Sequence, residues 1–484
     1  MTTSRQNLPD FSGTRYRRLS DDQCRKLHAA ALEILDRTGV RLHHSPAVDL
    51  LKQAGARVSE GNRVRIPPRL VEQALKTAPE QVTLYNRQGQ AALPIGGYRT
   101  FFGTGSDCLN IIDHRNGERR APVLQDVVEG MTLCDALPNI DFVMCMFLPV
   151  DVPIPVADRY QMQAMLNHTS KPIIYVTTDL SGCVDTVEMA EAVVGGAEAM
   201  RNRPLAGCYI NVTNALQHNQ EALQKLLYLS GKGLPATYIP VAFGGITAPI
   251  TLAGNMAIWH AGSMVGLVLS QLNREGAPFI TSGWGASALD MRTAVSPYAE
   301  PEKLFIAQEL AHWNHLPMFA FGGFSDSKIV DQQAGIEAAL TLMSNFMAGS
   351  HLVHDLGYLE SGLTGSLVQL AICDELIDWI RTSTAEVEIN AETLALDLID
   401  QVGPDGDFLS TDHTLDHFRQ RWYPKIIERQ DYSNWIGNGS QDLGQRASAR
   451  VNQLLAEHQP EPLPGDLQKE LQRIVQRATD AAID

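Results

Sequence analysis

The feature that most constrains this 484-residue chain is a regular alternation of short apolar runs with helix-length segments. Each run is rich in β-branched or aromatic residues and is bounded by Gly, Pro, Asn or Asp, as buried parallel strands are. The runs are 100–103, 141–148, 172–177, 205–212, 236–243, 278–282, 318–321 and 351–356. The segments that separate or follow them are 123–136, 157–168, 184–200, 218–232, 252–273, 301–315, 331–348 and 364–381. Eight strand–helix units in a row predict an α/β chain with a (β/α)8 TIM barrel over residues 100–382.

An open, doubly wound sheet is the alternative fold, because it also alternates strands with helices. Such sheets usually have fewer strands and often carry a glycine-rich phosphate turn after the first strand. Here the first strand leads into Gly103-Thr104-Gly105-Ser106-Asp107, which resembles that turn only loosely, and then into 109–113 rather than a long helix. The barrel is therefore the favoured fold.

Helical segments flank the predicted barrel on both sides. In the N-terminal segment, residues 1–99, apolar residues recur at helical spacing over 21–38 and 45–54, and each stretch ends at a glycine. The C-terminal extension, residues 383–484, is polar and helical in pattern and closes with a charged helix over 466–482. We expect that last helix to pack on the outside of the barrel or on a second subunit, which is compatible with a homo-oligomer.

Charge and composition restrict the partners and the compartment. Lys and Arg number 39 against 55 Asp and Glu, which argues against nucleic acid because phosphate binding needs a basic surface. The first residues lack the apolar stretch of a signal peptide, and no apolar run reaches the roughly 20 residues that span a bilayer. The seven cysteines are scattered without a close pair, as is typical of reduced thiols. We therefore expect a cytoplasmic protein without a membrane segment.

In a barrel enzyme the site forms where the strands end, so the residues at those ends are the candidates. They are Thr104, Ser106, Asp107, Asp151, Thr177, Thr178, Asp179, Asn211, Thr213, Asn214, Thr247, Trp284, Asp290, Arg292, Phe324, Ser325, Asp326, Lys328, His351, His354, Asp355, Tyr358 and Glu360. Two glycine pairs, Gly244-Gly245 and Gly322-Gly323, also follow strands. Such glycines let a bulky flat ligand approach the backbone at an open mouth, although tight turn geometry also explains them.

Two kinds of chemistry are not indicated. His351 and His354 are three residues apart on a strand, which points their side chains to opposite faces, and no cysteine lies clearly at a strand end to complete a zinc site. The GxSxG, Walker-loop and HExxH patterns are absent. We therefore expect neither a tightly bound metal nor a nucleophile of the chain's own.

Several blocks of the sequence, spread over almost the whole chain, carry a resemblance to one family. They are 131–143 (MTLCDALPNIDFV), 244–254 (GGITAPITLAG), 289–293 (LDMRT), 325–335 (SDSKIVDQQAG), 357–364 (GYLESGLT), 390–402 (NAETLALDLIDQV) and 411–418 (TDHTLDHF). On these blocks the chain resembles the trimethylamine:corrinoid methyltransferase family. The resemblance implies a TIM barrel that passes a methyl group to Co(I) of a corrinoid (cobalamin), which a small corrinoid-binding partner protein presents at the barrel mouth. Gly244, Gly245, Gly322 and Gly323 are then expected to contact the corrinoid.

One departure from the family bears on the substrate. The archaeal trimethylamine enzymes carry pyrrolysine in the barrel, at a position that we align with 324–326, whereas this chain contains only the twenty ordinary residues. Characterised members of the branch without pyrrolysine demethylate quaternary amines such as glycine betaine, proline betaine and carnitine. The resemblance therefore implies methyl transfer from a quaternary amine. Transfer from trimethylamine or another methylated amine, and a non-catalytic barrel that binds a betaine, are the alternatives.

A quaternary ammonium group has no hydrogen to donate, so its expected binding site is a cage of aromatic rings. Trp284, Phe324 and Tyr358 lie at strand ends and form the expected cage. Tyr175 and Tyr209 lie inside strands, where we expect them to fill the barrel.

Other strand-end residues suit the remaining parts of a betaine complex. Arg292 has the geometry to grip a carboxylate with two hydrogen bonds, although a structural ion pair with a nearby acid explains it equally well. His351, His354 and Lys328 are alternative partners for that carboxylate. Asp326 and Glu360 are expected to position the ammonium or the corrinoid, since no catalytic residue of the chain's own is expected.

Overall fold

Seven parallel strands form the curled central sheet in the computed structural model, which describes residues 16–283 and 287–483. In spatial order the strands are Phe101–Phe102, Leu352–His354, Met318–Phe321, Phe279–Ser282, Ala236–Pro240, Ala206–Val212 and Ile173–Val176. Every neighbouring pair is parallel. The α/β class is therefore confirmed, and the sheet is (β/α)8-like with seven of the eight predicted strands.

The second predicted strand, 141–148, does not form a regular strand. Isolated parallel bridges join it to both edge strands: Gly103–Phe142 and Val143–Ile173. The Asp141 carboxylate, rather than a backbone carbonyl, accepts the Phe102 N–H at 2.8 Å, and Met146 has a left-handed backbone with φ of 61°. Strand pairing is interrupted when a side chain takes a backbone N–H that would otherwise bond to the neighbouring strand. It is also interrupted by a residue with positive φ, because the backbone is then no longer extended. The prediction was thus wrong for this strand, and no eighth regular strand closes the barrel within the described residues.

Helices alternate with the strands around the outside of the sheet, as the sequence predicts. In the described part of the chain they are Leu124–Ala136, Ala157–His168, Leu180–Val194, Gln220–Lys232, Leu252–Asn273, Ala307–Trp313, Gln332–Ala348 and Leu367–Ser383, with a short Ala197–Asn202 after the third. Two of them begin at capping aspartates, because Asp179 accepts the Gly182 N–H and Asp331 accepts the Ala334 N–H.

Large apolar side chains from the strands fill the inside of the barrel. They include Phe142, Ile174, Tyr209, Ile239, Ile280, Phe319 and Leu352. An antiparallel hairpin, Val82–Tyr85 with Ala91–Ile95, packs against the same cluster. Its Tyr85 N–H donates to the Pro204 carbonyl, just before the strand Ala206–Val212 begins. The hairpin therefore covers the amino ends of the strands, and the mouth of the barrel lies at their carboxyl ends.

The N-terminal region combines helices with short strands. Its helices are Asp21–Glu33, Ile34–Thr38, Ser45–Gln53 and Pro68–Thr77. Its strands Val40–Leu42, Arg57–Ser59 and Arg63–Arg65 form a small sheet together with Gln217–His218. These strands were not predicted from the sequence, because three residues are too few to show a period.

One described helix, Leu252–Asn273, is long and apolar enough to cross a membrane by length and composition. However, 78% of its apolar window is buried inside the protein. It packs against the N-terminal helices Asp21–Glu33 and Pro68–Thr77 on one side and the strand Ala236–Pro240 on another. A helix that is apolar all round is expected in such a position, within a core.

The C-terminal extension is helical, as predicted. Its described helices are Ala391–Leu394, Leu396–Val402, Asp412–His417, Tyr432–Gly437, Leu443–Glu457 and Gly465–Ile483. The last one packs on the barrel helices Ala157–His168 and Leu180–Val194. Arg477 fixes it there through ion pairs of 2.7 Å with Asp185 and Glu188.

Short elements beyond the strand ends shape the mouth. Asn110–Ile112, Arg119–Arg120, Tyr358–Leu359 and Thr364–Ser366 form a four-stranded sheet, and Phe243–Gly244 pairs with Ser287–Ala288. Single 3-10 turns occur at Ile154–Val156, Pro301–Lys303, Glu360–Gly362 and Phe418–Gln420.

Two helical glycines give a matched test of this packing. A Cβ at Gly266 would lie 2.3 Å from the ring of Tyr238, whereas a Cβ at Gly335 would meet nothing within 4 Å. We expect Gly335→Ala to raise the free energy of unfolding by about 1 kcal/mol, because alanine has the better helix propensity. Gly266→Ala should lower it by about 2 kcal/mol because the methyl overpacks the core. Urea unfolding of both variants measures the difference, and stabilisation by Gly266→Ala would contradict the packing described.

Candidate active site at the barrel mouth

The floor of the mouth is a layer of side chains that point into the barrel at the carboxyl ends of the strands. Alternation along a strand places His354 on the interior face, two residues after Leu352. Its ring lies 4.3 Å from that of Phe319 and 5.9 Å from that of Tyr209, centre to centre. Asn211 is exposed although it lies in an interior strand. Solvent therefore reaches the floor of the mouth.

Three aromatic rings form one wall of the mouth. Tyr298 meets Phe324 edge-on at 5.4 Å and Phe321 edge-on at 6.0 Å, and the two phenylalanine rings stack at 5.0 Å. Phe321 is half-buried at the end of its strand, and Phe324 is 2% exposed. The predicted cage residue Phe324 is therefore buried beneath the other two rings and packs against both of them.

Asp326 holds the loop that carries Tyr298. Its carboxylate accepts the backbone N–H of Tyr298 at 2.8 Å and that of Ala299 at 3.1 Å. It also accepts the Ser361 hydroxyl at 2.7 Å. With these three bonds Asp326 acts on the aromatic wall and sets the position of Tyr298.

Two largely buried carboxylates lie beside the aromatic floor. Asp107 accepts a hydrogen bond of 3.0 Å from the Gln161 side chain, and an Asp355 oxygen lies 3.4 Å from His354 Nε2. Burial raises the pKa of both carboxyl groups. Burial raises the pKa of the Tyr209 phenol, and Asp355 and Asp107 raise it further, as expected for carboxyl groups near that ring. Hydrogen bonds from Gln161, Ser106 and Cys145 partly offset the effect of burial on Asp107, and the charge of His354 partly offsets it on Asp355.

The backbone at both aspartates is left-handed, with φ of 62° at Asp107 and 74° at Asp355. This conformation is uncommon for residues other than glycine and is found at sites where function fixes a side chain. Neither aspartate received a role from the sequence, although both were among the strand-end candidates. The signal that singles them out is spatial, because the strand Phe101–Phe102 pairs with Leu352–His354 and so brings the two strand ends together.

Two predicted residues near the mouth are fully engaged within the protein. The Tyr358 hydroxyl donates to the Ser106 carbonyl at 2.6 Å, and the ring is 3% exposed. Glu360 accepts hydrogen bonds from the Arg119 guanidinium at 2.9 and 3.1 Å and from the Thr364 hydroxyl. Tyr358 thus supports the floor near Asp355, and Glu360 anchors a surface loop.

Two predicted partners for a carboxylate lie outside this cluster. Arg292 pairs with Asp290 at 2.7 Å, and its side chain is 88% exposed. His351 precedes its strand and lies at the amino end of the barrel, where Nε2 donates to the Gly97 carbonyl and Nδ1 accepts the Met318 N–H. Burial lowers the pKa of His351 to about 4. Arg292 therefore forms the structural ion pair that the sequence left as an alternative to a substrate carboxylate. The prediction that His351 lies at the mouth was wrong, because its strand begins one residue after it.

The predicted cage residue Trp284 falls outside the described residues.

The glycine pairs have different surroundings. A Cβ at Gly322 would lie 2.9 Å from Asn345, and one at Gly323 would lie 2.8 Å from Leu356, so close packing explains this pair. Gly245 is exposed in a left-handed turn with φ of 86°, and Gly244 lies in the short strand before it. Of the two pairs, the Gly244–Gly245 turn is therefore the one at an accessible rim.

Comparison with known proteins identifies the family. The sequence profile described as "Trimethylamine methyltransferase (MTTB)" matches residues 3–482. The chain belongs to this family. The trimethylamine methyltransferase of Desulfitobacterium hafniense (strain DSM 10664 / DCB-2) is 32% identical over 95% of this chain and 94% of its own length. The glycine betaine methyltransferase of Desulfitobacterium hafniense (strain Y51) is 29% identical over 95% and 97% of the two chains.

Two further proteins are also similar to this chain. A trimethylamine methyltransferase of Methanosarcina mazei is 28% identical over 97% of each chain. The solved monomethylamine methyltransferase of Methanosarcina barkeri superposes with a TM-score of 0.49 at 12% identity, over 93% of this chain and 89% of that one. The resemblance found in the sequence is confirmed, and membership of the trimethylamine methyltransferase family supports methyl transfer from a methylated amine.

The two kinds of carboxylate at the mouth should respond to pH with opposite signs. Burial raises the pKa of Asp355 in the folded state, so the wild type loses stability as pH rises from the unfolded value, about 3.9, through the folded one. Asp355→Asn removes the buried charge and should raise the free energy of unfolding at pH 7 by about 1 kcal/mol or more. Thermal unfolding of the variant and the wild type from about pH 3 to about pH 8 measures this gain in stability, which should vanish at the acid end of the range.

Glu360→Gln is the matched control. Burial raises the pKa of Glu360, but hydrogen bonds from Thr364 and Arg119 outweigh it and lower the pKa overall. Glu360 therefore stabilises the fold above its unfolded pKa, and that stability is lost as pH falls. The glutamine variant should be less stable than the wild type at neutral pH and equal to it in acid. Parallel pH profiles for the two variants would contradict the electrostatics described.

Proposed function

We propose that this protein transfers a methyl group from a quaternary amine, such as glycine betaine or a related betaine, to the Co(I) corrinoid of a partner protein. The observation that carries the proposal is the pairing of two buried carboxylates, Asp107 and Asp355, with aromatic rings at an open barrel mouth. Family membership supports the methyl transfer itself.

This pairing suits a permanent cation. A quaternary ammonium cannot donate a hydrogen bond, so charge and aromatic faces must hold it. The rings of Tyr298 and Phe321 offer such faces at the wall, and Tyr209 lies at the floor. A bound cation would also compensate the buried charges of Asp107 and Asp355, which is favourable for both partners.

The reaction needs no proton transfer from the protein. When the methyl carbon is attacked in line by Co(I), its bond to nitrogen breaks, and the bonding pair stays on the nitrogen of a neutral tertiary amine. The new carbon–cobalt bond uses the electron pair of the reduced corrinoid. The chain's own residues then need only bind the cation, point one methyl group outward and exclude water. No described residue is required as a nucleophile for this step.

The rim of the mouth offers a surface for the corrinoid and its carrier. Ile246, Ile250, Met291 and Val295 are all about half exposed or more, close to the Gly244–Gly245 turn in sequence or pairing. An apolar rim of this kind favours contact with a flat macrocycle presented by a small protein. We assign the corrinoid-binding protein to this rim, in a cytoplasmic setting.

A different methylated amine is the second candidate donor. In the described part of the mouth the arginine expected to grip a betaine carboxylate, Arg292, is paired with Asp290 instead. The two buried carboxylates would also attract protonated trimethylamine, which lacks a carboxylate. A non-catalytic barrel that binds a betaine is the third candidate.

A methyl-transfer assay separates these candidates. The purified protein is mixed with a Co(I) corrinoid protein and a panel that contains glycine betaine, proline betaine, carnitine and trimethylamine. Methylation of the corrinoid is followed by its absorbance. We expect turnover with at least one quaternary amine. Turnover with trimethylamine alone would support the second candidate, and binding of a betaine without turnover would support the third.

Tyr298 provides a test of the aromatic wall. Tyr298→Leu removes the ring and should raise the KM for the quaternary amine by about tenfold, since a cation–π contact is worth roughly 0.5–2 kcal/mol. Tyr298→Phe keeps the ring and should leave the KM within about twofold of the wild type. Steady-state kinetics of the corrinoid assay measures both values. Equal KM values for the leucine and phenylalanine variants would remove Tyr298 from the cation site.

A further inference from the structure

The C-terminal extension contains a segment, residues 385–421, in which no residue is fully buried in its own subunit. We call this segment the arm. Its helices Ala391–Leu394, Leu396–Val402 and Asp412–His417 are 4, 7 and 6 residues long, and none has a buried residue. Isolated helices shorter than about 12–15 residues are only marginally stable in water. Helices this short therefore need a surface to pack against.

The composition of the arm indicates what kind of surface that is. Its exposed large apolar side chains are Val387, Ile389, Leu394, Leu396, Ile399, Phe408, Leu409, Leu415 and Phe418. Leu409 is 84% exposed. Monomeric proteins rarely leave so many apolar groups in contact with water within one segment. The arm is thus built to pack against an apolar partner surface.

A surface of this kind lies on the outside of the barrel of the same chain. On the helix Gln332–Ala348, Ile336, Leu340 and Met343 are 60%, 56% and 36% exposed. Their spacing of four and three residues places them on one helix face, which we call the stripe. A solvated helix face is normally polar. In the neighbouring helix Leu367–Ser383, Trp379 is also 46% exposed.

We propose that the arm of one subunit packs on the stripe of a second copy of this chain, and that the second copy returns the same contact. Because the arm and the stripe belong to the same chain, a dimer with twofold symmetry buries the arm and the stripe of both subunits at the same time. The arm is longer than the roughly 20–30 residues that each partner contributes to a stable interface. Nine acidic and two basic side chains in the arm remain available for the polar rim of that contact.

The position of the arm favours a second copy over the corrinoid protein as its partner. Near the start of the arm, Arg381 pairs at 2.7 Å with Asp141, at the amino end of the barrel. Where the arm ends, the Trp422 indole N–H donates to Asp378, on the same part of the helix Leu367–Ser383. Both ends are therefore held opposite the mouth, whereas the corrinoid must reach the mouth. The arm and the methyl-transfer site are separate surfaces.

Light scattering after size-exclusion chromatography tests the contact on the full chain. We expect the wild type to have a mass of at least two subunits of 53.1 kDa. Leu409→Glu in the arm and Leu340→Glu in the stripe each place a charge in the apolar contact and should weaken association at least about a hundredfold. Ile154→Glu, at a side chain that is 69% exposed outside both surfaces, is the matched control and should keep the wild-type mass. A monomeric wild type, or two glutamate variants that keep its mass, would overturn the proposal.

Mixing the two variants tests the reciprocity and shows that each is folded. A subunit with a damaged arm still has an intact stripe, and a subunit with a damaged stripe still has an intact arm. One of the two exchange contacts is therefore intact in the mixed pair, and association should recover at least about tenfold relative to either variant alone. Absence of any recovery in the mixture would overturn reciprocal exchange.

Discussion

The carboxyl groups of Asp107 and Asp355 lie at the barrel mouth beside aromatic rings, and burial raises the pKa of both. A buried carboxylate is unfavourable unless a donor or a cation compensates it. Asp107 has the Gln161 amide, and Asp355 has His354 at 3.4 Å. A positively charged ligand between them and the rings of the wall would supply the missing compensation. Under the proposed function, the stability that the two buried carboxyl groups cost would be recovered as affinity for that ligand.

Much of the fold could be predicted from the spacing of apolar residues. Seven of the predicted strands and the helices between them form where the sequence pattern places them. The segment 141–148 could not, since its ladder is interrupted by the side chain of Asp141, which accepts a backbone N–H in place of a carbonyl. The three-residue strands of the N-terminal sheet could not be predicted either, because three residues are too few to show the alternation of apolar and polar side chains.

The candidate site was less predictable than the fold. Arg292 and Asp290 are two residues apart, and the sequence could not show whether that aspartate or a substrate would take the guanidinium. The importance of Asp107 and Asp355 depends on pairing between strands about 250 residues apart in sequence, for which no local pattern exists. His354 did receive a role from the sequence, and the structure brings it to the floor of the mouth beside Tyr209.

Calorimetry measures whether the barrel mouth recognises positive charge. Glycine betaine and its analogue with carbon in place of the quaternary nitrogen have the same shape and differ in one charge. We expect the betaine to bind at least about a hundredfold more tightly than the carbon analogue, because carboxylates and aromatic faces favour a cation. Equal affinity for the two compounds would contradict recognition of positive charge at the mouth.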